Sequence, residues 1–134
     1  MIEPAPPLHP LLRRRDVSEP IRRFPAHPHE GAVGIPAATK AYARVIAKGR
    51  SRLSGRDFNL ISVFDPGLAA SEEGRAVAHS SFHHFADYNW DPRLGCPSFV
   101  TDPEGDQVLV DPSALDDIRA YAANLAHWLS PGSN

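Results

Sequence analysis

The residues best equipped for chemistry crowd into one run, from His79 to Asp91. His79, His83 and His84 are three of the chain's seven histidines, and Ser80, Ser81, Asp87, Asn89 and Asp91 accompany them. Phe82, Phe85, Tyr88 and Trp90 interleave with these polar groups. Neutral imidazole and carboxylate are ligands for zinc, manganese or iron. Imidazole is also the commonest proton carrier near neutral pH. The candidate ligand-binding set is therefore His79, Ser81, His83, His84, Asp87, Asn89, Trp90 and Asp91. Within it, His79, His83, His84 and Asp87 are the side chains that could hold a divalent metal, zinc or manganese. The competing account is packing. The aromatics would anchor a loop over the core, and the histidines and Asn89 would satisfy buried backbone groups.

Standard motifs fail in this run. His79-Ser80-Ser81-Phe82-His83 has the i, i+4 histidine spacing of a zinc-protease helix, but no glutamate follows the first histidine to act as general base. Asp87-x-Asn89-x-Asp91 begins like a calcium loop. Pro92 then replaces the required glycine and Ser98 the required glutamate. A second cluster, His27-Pro28-His29-Glu30-Gly31, offers His27, His29 and Glu30 as further ligands, against the alternative of an exposed Pro-rich turn. Cys96 would be a nucleophile only if a histidine reached it, and a packed thiol is the better account. No Gly-rich phosphate loop is present. His9 and His127 stand alone, the latter late in a helix, where a cation suits the negative end.

These groups need elements to position them. Phe58 to Phe64 is apolar on both faces, which suits a strand covered on both sides, and Asp65-Pro66-Gly67 stops it. Tyr42 to Lys48 fits a helix or a strand. A strand is preferred, because it would pair with Phe58–Phe64 through a loop containing Ser54-Gly55. Arg75 to His79 reads as a short buried strand. If that strand were parallel to its neighbour, the His79–Asp91 run would lie at the sheet's carboxyl edge, where open α/β sheets place ligands. Val108-Leu109-Val110 reads as a minor strand. Ser113 with Asp116 resembles a capping box, opening a helix whose apolar stripe is Leu115, Ile118, Ala122, Leu125 and Leu129. Pro131-Gly132 ends it. Such a helix packing on two-sided strands gives a layered α/β fold.

Length and composition bound the rest. The 134 residues suggest one domain. Eight of the 14 prolines fall in the first 36 residues, so residues 1–36 read as an irregular, basic, Pro-rich arm or connection, and residues 37–134 as the α/β domain. Residues 1–56 hold 11 Lys/Arg and 4 Asp/Glu, while residues 57–134 hold 3 and 12. The basic residues are scattered and carry no interleaved aromatics, which argues against nucleic acid as partner. The basic segment is expected to be solvated or to lie against the acidic half. A lone cysteine and the lack of a signal-peptide pattern suggest a reducing, cytoplasmic setting. No stretch approaches the ~20 apolar residues of a membrane span.

The string from Gly74 to His84, Gly-Arg-Ala-Val-Ala-His-Ser-Ser-Phe-His-His, resembles the late part of class I glutamine amidotransferase-like domains. It is most similar to the ThuA-like (trehalose-utilisation-type) branch or its uncharacterised relatives. His9-Pro10-Leu11-Leu12, the segment Phe24–Gly31 and the final helix fit the same register. The resemblance implies a flavodoxin-like layered sheet, incomplete here because the first strands and helices of such a domain would lie upstream. The chain would then be the C-terminal portion of a larger domain. It also implies a link to sugar metabolism. It carries no triad over: the cysteine elbow would lie upstream, and His27-Pro28-His29-Glu30 has one histidine too many for the family's His-Pro-Glu.

Three functions follow as expectations. The first is an amidotransferase-like domain binding a small polar ligand, carbohydrates included, around His79–Asp91. The second is a metal-dependent hydrolase or isomerase. The third is a non-catalytic interaction module or remnant, self-associating through an unpaired sheet edge.

Overall fold

The computed structural model describes residues 1–15, 19–24, 31–51, 53–69, 74–81, 83–85, 87–95, 98, 106–130 and 132. For residues 68, 69, 84, 87, 88, 92 and 107 it describes the backbone alone. The fold is a mixed α/β arrangement. One four-stranded sheet, in the order β1-β2-β3-β4, is covered by a C-terminal helix.

The strands are β1 (Glu3–Pro4), β2 (Ala43–Arg50), β3 (Asp57–Phe64) and β4 (Ala76–His79). The ambiguous segment after Tyr42 is a strand, and it forms the expected hairpin with β3. Gly55, at φ 67°, supplies the left-handed residue that the Ser51–Arg56 loop needs. One pair back from the loop end of the hairpin, Gly49 lies opposite Phe58. A Cβ at Gly49 would come within 2.5 Å of the Phe58 ring, so the glycine makes room for the aromatic. Leu60, Ile61, Ser62 and Val63 are buried in succession, as a strand covered on both faces requires.

All three strand pairings are antiparallel. The parallel arrangement that would have put His79 at a carboxyl edge is therefore absent, and the described sheet lacks the parallel strands of flavodoxin-like layering. The connection from β3 to β4 spans only residues 65–75. That is short for the crossover a parallel pair needs, usually a dozen residues or more with a helix. β4 is half-buried rather than fully buried.

The helices are α1 (Asp87–Trp90), α2 (Gln107–Val110) and α3 (Ser113–Leu129). The expected minor strand at Val108–Val110 is thus a helical turn. Ser113 does not cap α3 with its side chain. Pro112 occupies the cap position, Asp111 Oδ1 accepts the Ser113 N–H at 3.1 Å, and the Ser113 hydroxyl accepts from Arg23 at 2.8 Å. The buried face of α3 is Leu115, Asp117, Ile118, Tyr121 and Trp128, while Leu129 is exposed. The stripe is rotated from the expected one toward two aromatics, which bury more area than Ala122 or Leu129 could.

The N-terminal segment belongs to this core. Ile2, Leu11, Leu12, Ile21 and Phe24 pack in one cluster with Ile46, Leu60, Ile61, Val63 and the α3 face. β1 pairs with β2, and Asn124 of α3 donates to the carbonyls of Pro10, Leu11 and Arg13. Two arginines of the basic segment pair with the acidic half. Arg14 pairs with the buried Asp117 at 2.6 Å, and Arg23 pairs with Asp111. Among the described residues, no helix is long and apolar enough to cross a membrane.

Candidate functional site

His79 closes β4 opposite Ile61 of β3. Directly paired residues share a face of the sheet, and α3 covers this one. The Tyr121 hydroxyl lies 3.0 Å from His79 Nε2. Phe85 stands edge-on to the imidazole, with ring centroids 5.1 Å apart. Phe24 packs on Tyr121 at the same separation. Within this aromatic enclosure, burial pushes the His79 pKa down from 6.5 to about 4. Burial also pushes the Tyr121 phenol well above its ordinary value. Both groups are therefore neutral at physiological pH, since a low dielectric disfavours the charged form of each.

Beyond His79 the chain turns on its own polar side chains. Ser80 N–H continues the ladder to the Leu60 carbonyl. The Ser81 hydroxyl accepts the His83 N–H at 3.3 Å. Asn89 Nδ2 donates to the His83 carbonyl at 2.6 Å. Asp91 receives the Arg93 guanidinium through Nε at 2.7 Å and Nη2 at 2.8 Å, and also accepts the Arg93 N–H at 3.1 Å. These bonds, the guanidinium's first among them, hold the Asp91 carboxyl below the usual carboxylate range.

The sequence-derived set therefore divides. Ser81 and Asn89 shape the turn, and Asp91 at its end binds Arg93. His79 lies beneath the turn, hydrogen-bonded to α3. His83 and Trp90 are half-buried on it, with Phe85 exposed beside them. The side chains of His84 and Asp87 lie outside the described residues, as do His27, His29, Glu30 and Cys96 entirely. Among the described residues, no group of three or more His, Cys, Asp or Glu is placed to hold a metal ion.

The chain matches no family model, no curated protein and no solved structure.

Sequence reasoning missed Tyr121, the group that engages His79. A signal was available. Ile118, Tyr121, Leu125 and Trp128 step by 3, 4 and 3, a helical stripe as regular as the one chosen. It also treated His9 as isolated. His9 is buried, with its ring edge-on to Trp128 at 5.3 Å. Arg75 lies 5.1 Å over the same Trp128 ring and pairs with Asp65 at 3.2 Å.

Proposed function

We propose that this chain is a binding domain that takes a small polar ligand, in the first instance a carbohydrate, on the turn from His79 to Asp91. The supporting observation is that Ser81 and Asn89 brace the turn from within while Phe85 is exposed. A pre-braced surface with an aromatic beside polar groups suits a sugar. It meets the apolar ring face with a side chain that loses little entropy on binding. His79 supports the turn from below through Tyr121, as a neutral group.

The metal-dependent alternative draws on His79 as a ligand, and its Nε2 is already committed to the Tyr121 hydroxyl. The amidotransferase-like resemblance contributes the carbohydrate preference to this reading. A flavodoxin-like core would have to be completed by parallel strands beyond the described antiparallel sheet.

Trp90 reports on the turn. Titrating the chain with a panel of mono- and disaccharides should give a saturable change in tryptophan fluorescence for at least one of them. That change should disappear in Trp90→Phe and weaken about tenfold or more in His83→Ala, as expected for a lost hydrogen bond in a desolvated site. If no sugar alters either the fluorescence or the melting temperature, while zinc raises the latter and EDTA reverses it, the metal-dependent reading replaces this one.

A further inference from the structure

The two edges of the sheet differ. At one, β1 is short and contains Pro4, and Ile2 beside it donates to the Arg22 carbonyl at 2.8 Å. A proline and a covering segment are means by which sheets blunt an edge. At the other edge lies β4, and among the described residues no strand lies beyond it. Its sequence, Ala76-Val77-Ala78-His79, holds no proline and no Lys, Arg, Asp or Glu, and its pairing with β3 runs without a bulge. Arg75, just before it, is drawn onto Asp65 and the Trp128 carbonyl, at 3.2 and 3.0 Å.

The ladder fixes which groups β4 offers. Ser80 N–H donates to the Leu60 carbonyl at 2.9 Å, so these two residues form a hydrogen-bonded pair. Bonded and non-bonded pairs alternate along an antiparallel ladder. Ala78 is therefore bonded to Ser62, whereas Val77 and His79, opposite Val63 and Ile61, aim their N–H and C=O groups at the outer side. An incoming strand must match that spacing, and a second antiparallel β4 does. About a two-fold axis at Ala78, Val77 of each copy meets His79 of the other, and each such pair exchanges both backbone bonds. Ala78 then meets its own counterpart in a non-bonded pair, with Cα atoms ~4.5 Å apart, where a small side chain fits. No charged side chain of β4 opposes a like charge.

We propose that β4 is a homodimer interface, joining two copies of this chain edge to edge through Val77, Ala78 and His79 into one continuous sheet. The interface draws on the ladder alone and not on a ligand at the turn from His79 to Asp91.

Sedimentation of the full chain should show a concentration-dependent shift from 14.6 kDa toward twice that mass. Val77→Pro removes an outward N–H and leaves the bonds to β3 in place. It should weaken the dimer about tenfold or more. Cross-linking in a chain carrying Cys96→Ser tests the register. Ala78→Cys sets two thiols across the two-fold axis within disulfide reach, and mild oxidation should give a covalent dimer. Ala76→Cys, which would face Ser80 of the second copy, should give little. If Val77→Pro fails to fold, the contrast between positions 78 and 76 decides. The proposal would be overturned by a chain that stays monomeric up to about 1 mM, its edge left to another partner. A dimer indifferent to Val77→Pro, or equal cross-linking at 78 and 76, would overturn it too.

Discussion

His79 and His9 each keep a buried imidazole neutral, with pKa values near 4 against 6.5 in an unfolded chain. The consequence for stability has a definite sign. Between pH 6.5 and 4 the unfolded chain binds protons at these positions and the folded chain does not. Their contribution is therefore complete above about pH 6.5 and is lost as pH falls toward 4. A shift of this size corresponds to roughly 3 kcal/mol per histidine. Denaturant unfolding at pH 7 and at pH 4.5 should show that loss, and His79→Gln should remove one histidine's share of it. An unchanged difference between the two pH values in His79→Gln would mean that His79 is not held neutral by the fold. The sequence offered His79 as a candidate ligand and showed no packing partner for it. Its role depends on Tyr121, 42 residues away, and no local spacing reveals such a partner. A run rich in histidine and aspartate looks the same whether its groups face a ligand or fasten a turn.

At the scale of elements, periodicity made β2, β3 and α3 legible, and it failed where short segments carry little of it. Three apolar residues at Val108–Val110 fit a strand or one helical turn equally well. The direction of β4 was not written in its own four residues but in the brevity of the 65–75 connection. The N-terminal segment was legible in its backbone and misleading in its burial. Proline forecasts missing ladder bonds, not exposure, and Leu11, Leu12 and Ile21 are fully buried between the prolines. One carboxylate on α3 gathers three of the bonds that hold that segment. Asp117 accepts the Arg14 guanidinium at 2.6 Å and the backbone N–H groups of Arg22 and Arg23 at 3.2 and 3.0 Å. Asp117→Ala deletes all three bonds and should cost about 3 kcal/mol. The local signature is sharper than the total. Amide exchange at Arg22 and Arg23 should accelerate well beyond that of β3. Protection that stays uniform would show that other contacts hold the segment.

For the whole molecule, the charge asymmetry and the core describe the same seam. The basic N-terminal segment lies against α3 and the residues that lead into it through Arg14–Asp117, Arg23–Asp111 and the Asn124 contacts. Beneath these polar bonds it delivers Ile2, Leu11, Leu12, Ile21 and Phe24 to the core. Burying each such side chain is worth about 1.5–3 kcal/mol. Together they are comparable to the ~5–15 kcal/mol net stability of an ordinary domain. The segment also supplies Phe24 against Tyr121, so its loss reaches the His79 site as well. A chain of residues 25–134 should therefore show no cooperative thermal melt, whereas residues 1–134 should melt cooperatively. Scanning calorimetry on both chains decides it. A cooperative melt of 25–134 within a few degrees of the longer chain would mean that the segment decorates a self-sufficient sheet and helix. The loss of that transition would make residues 1–24 part of the folding unit, with β1 and the Pro10–Leu12 turn holding α3 on the sheet.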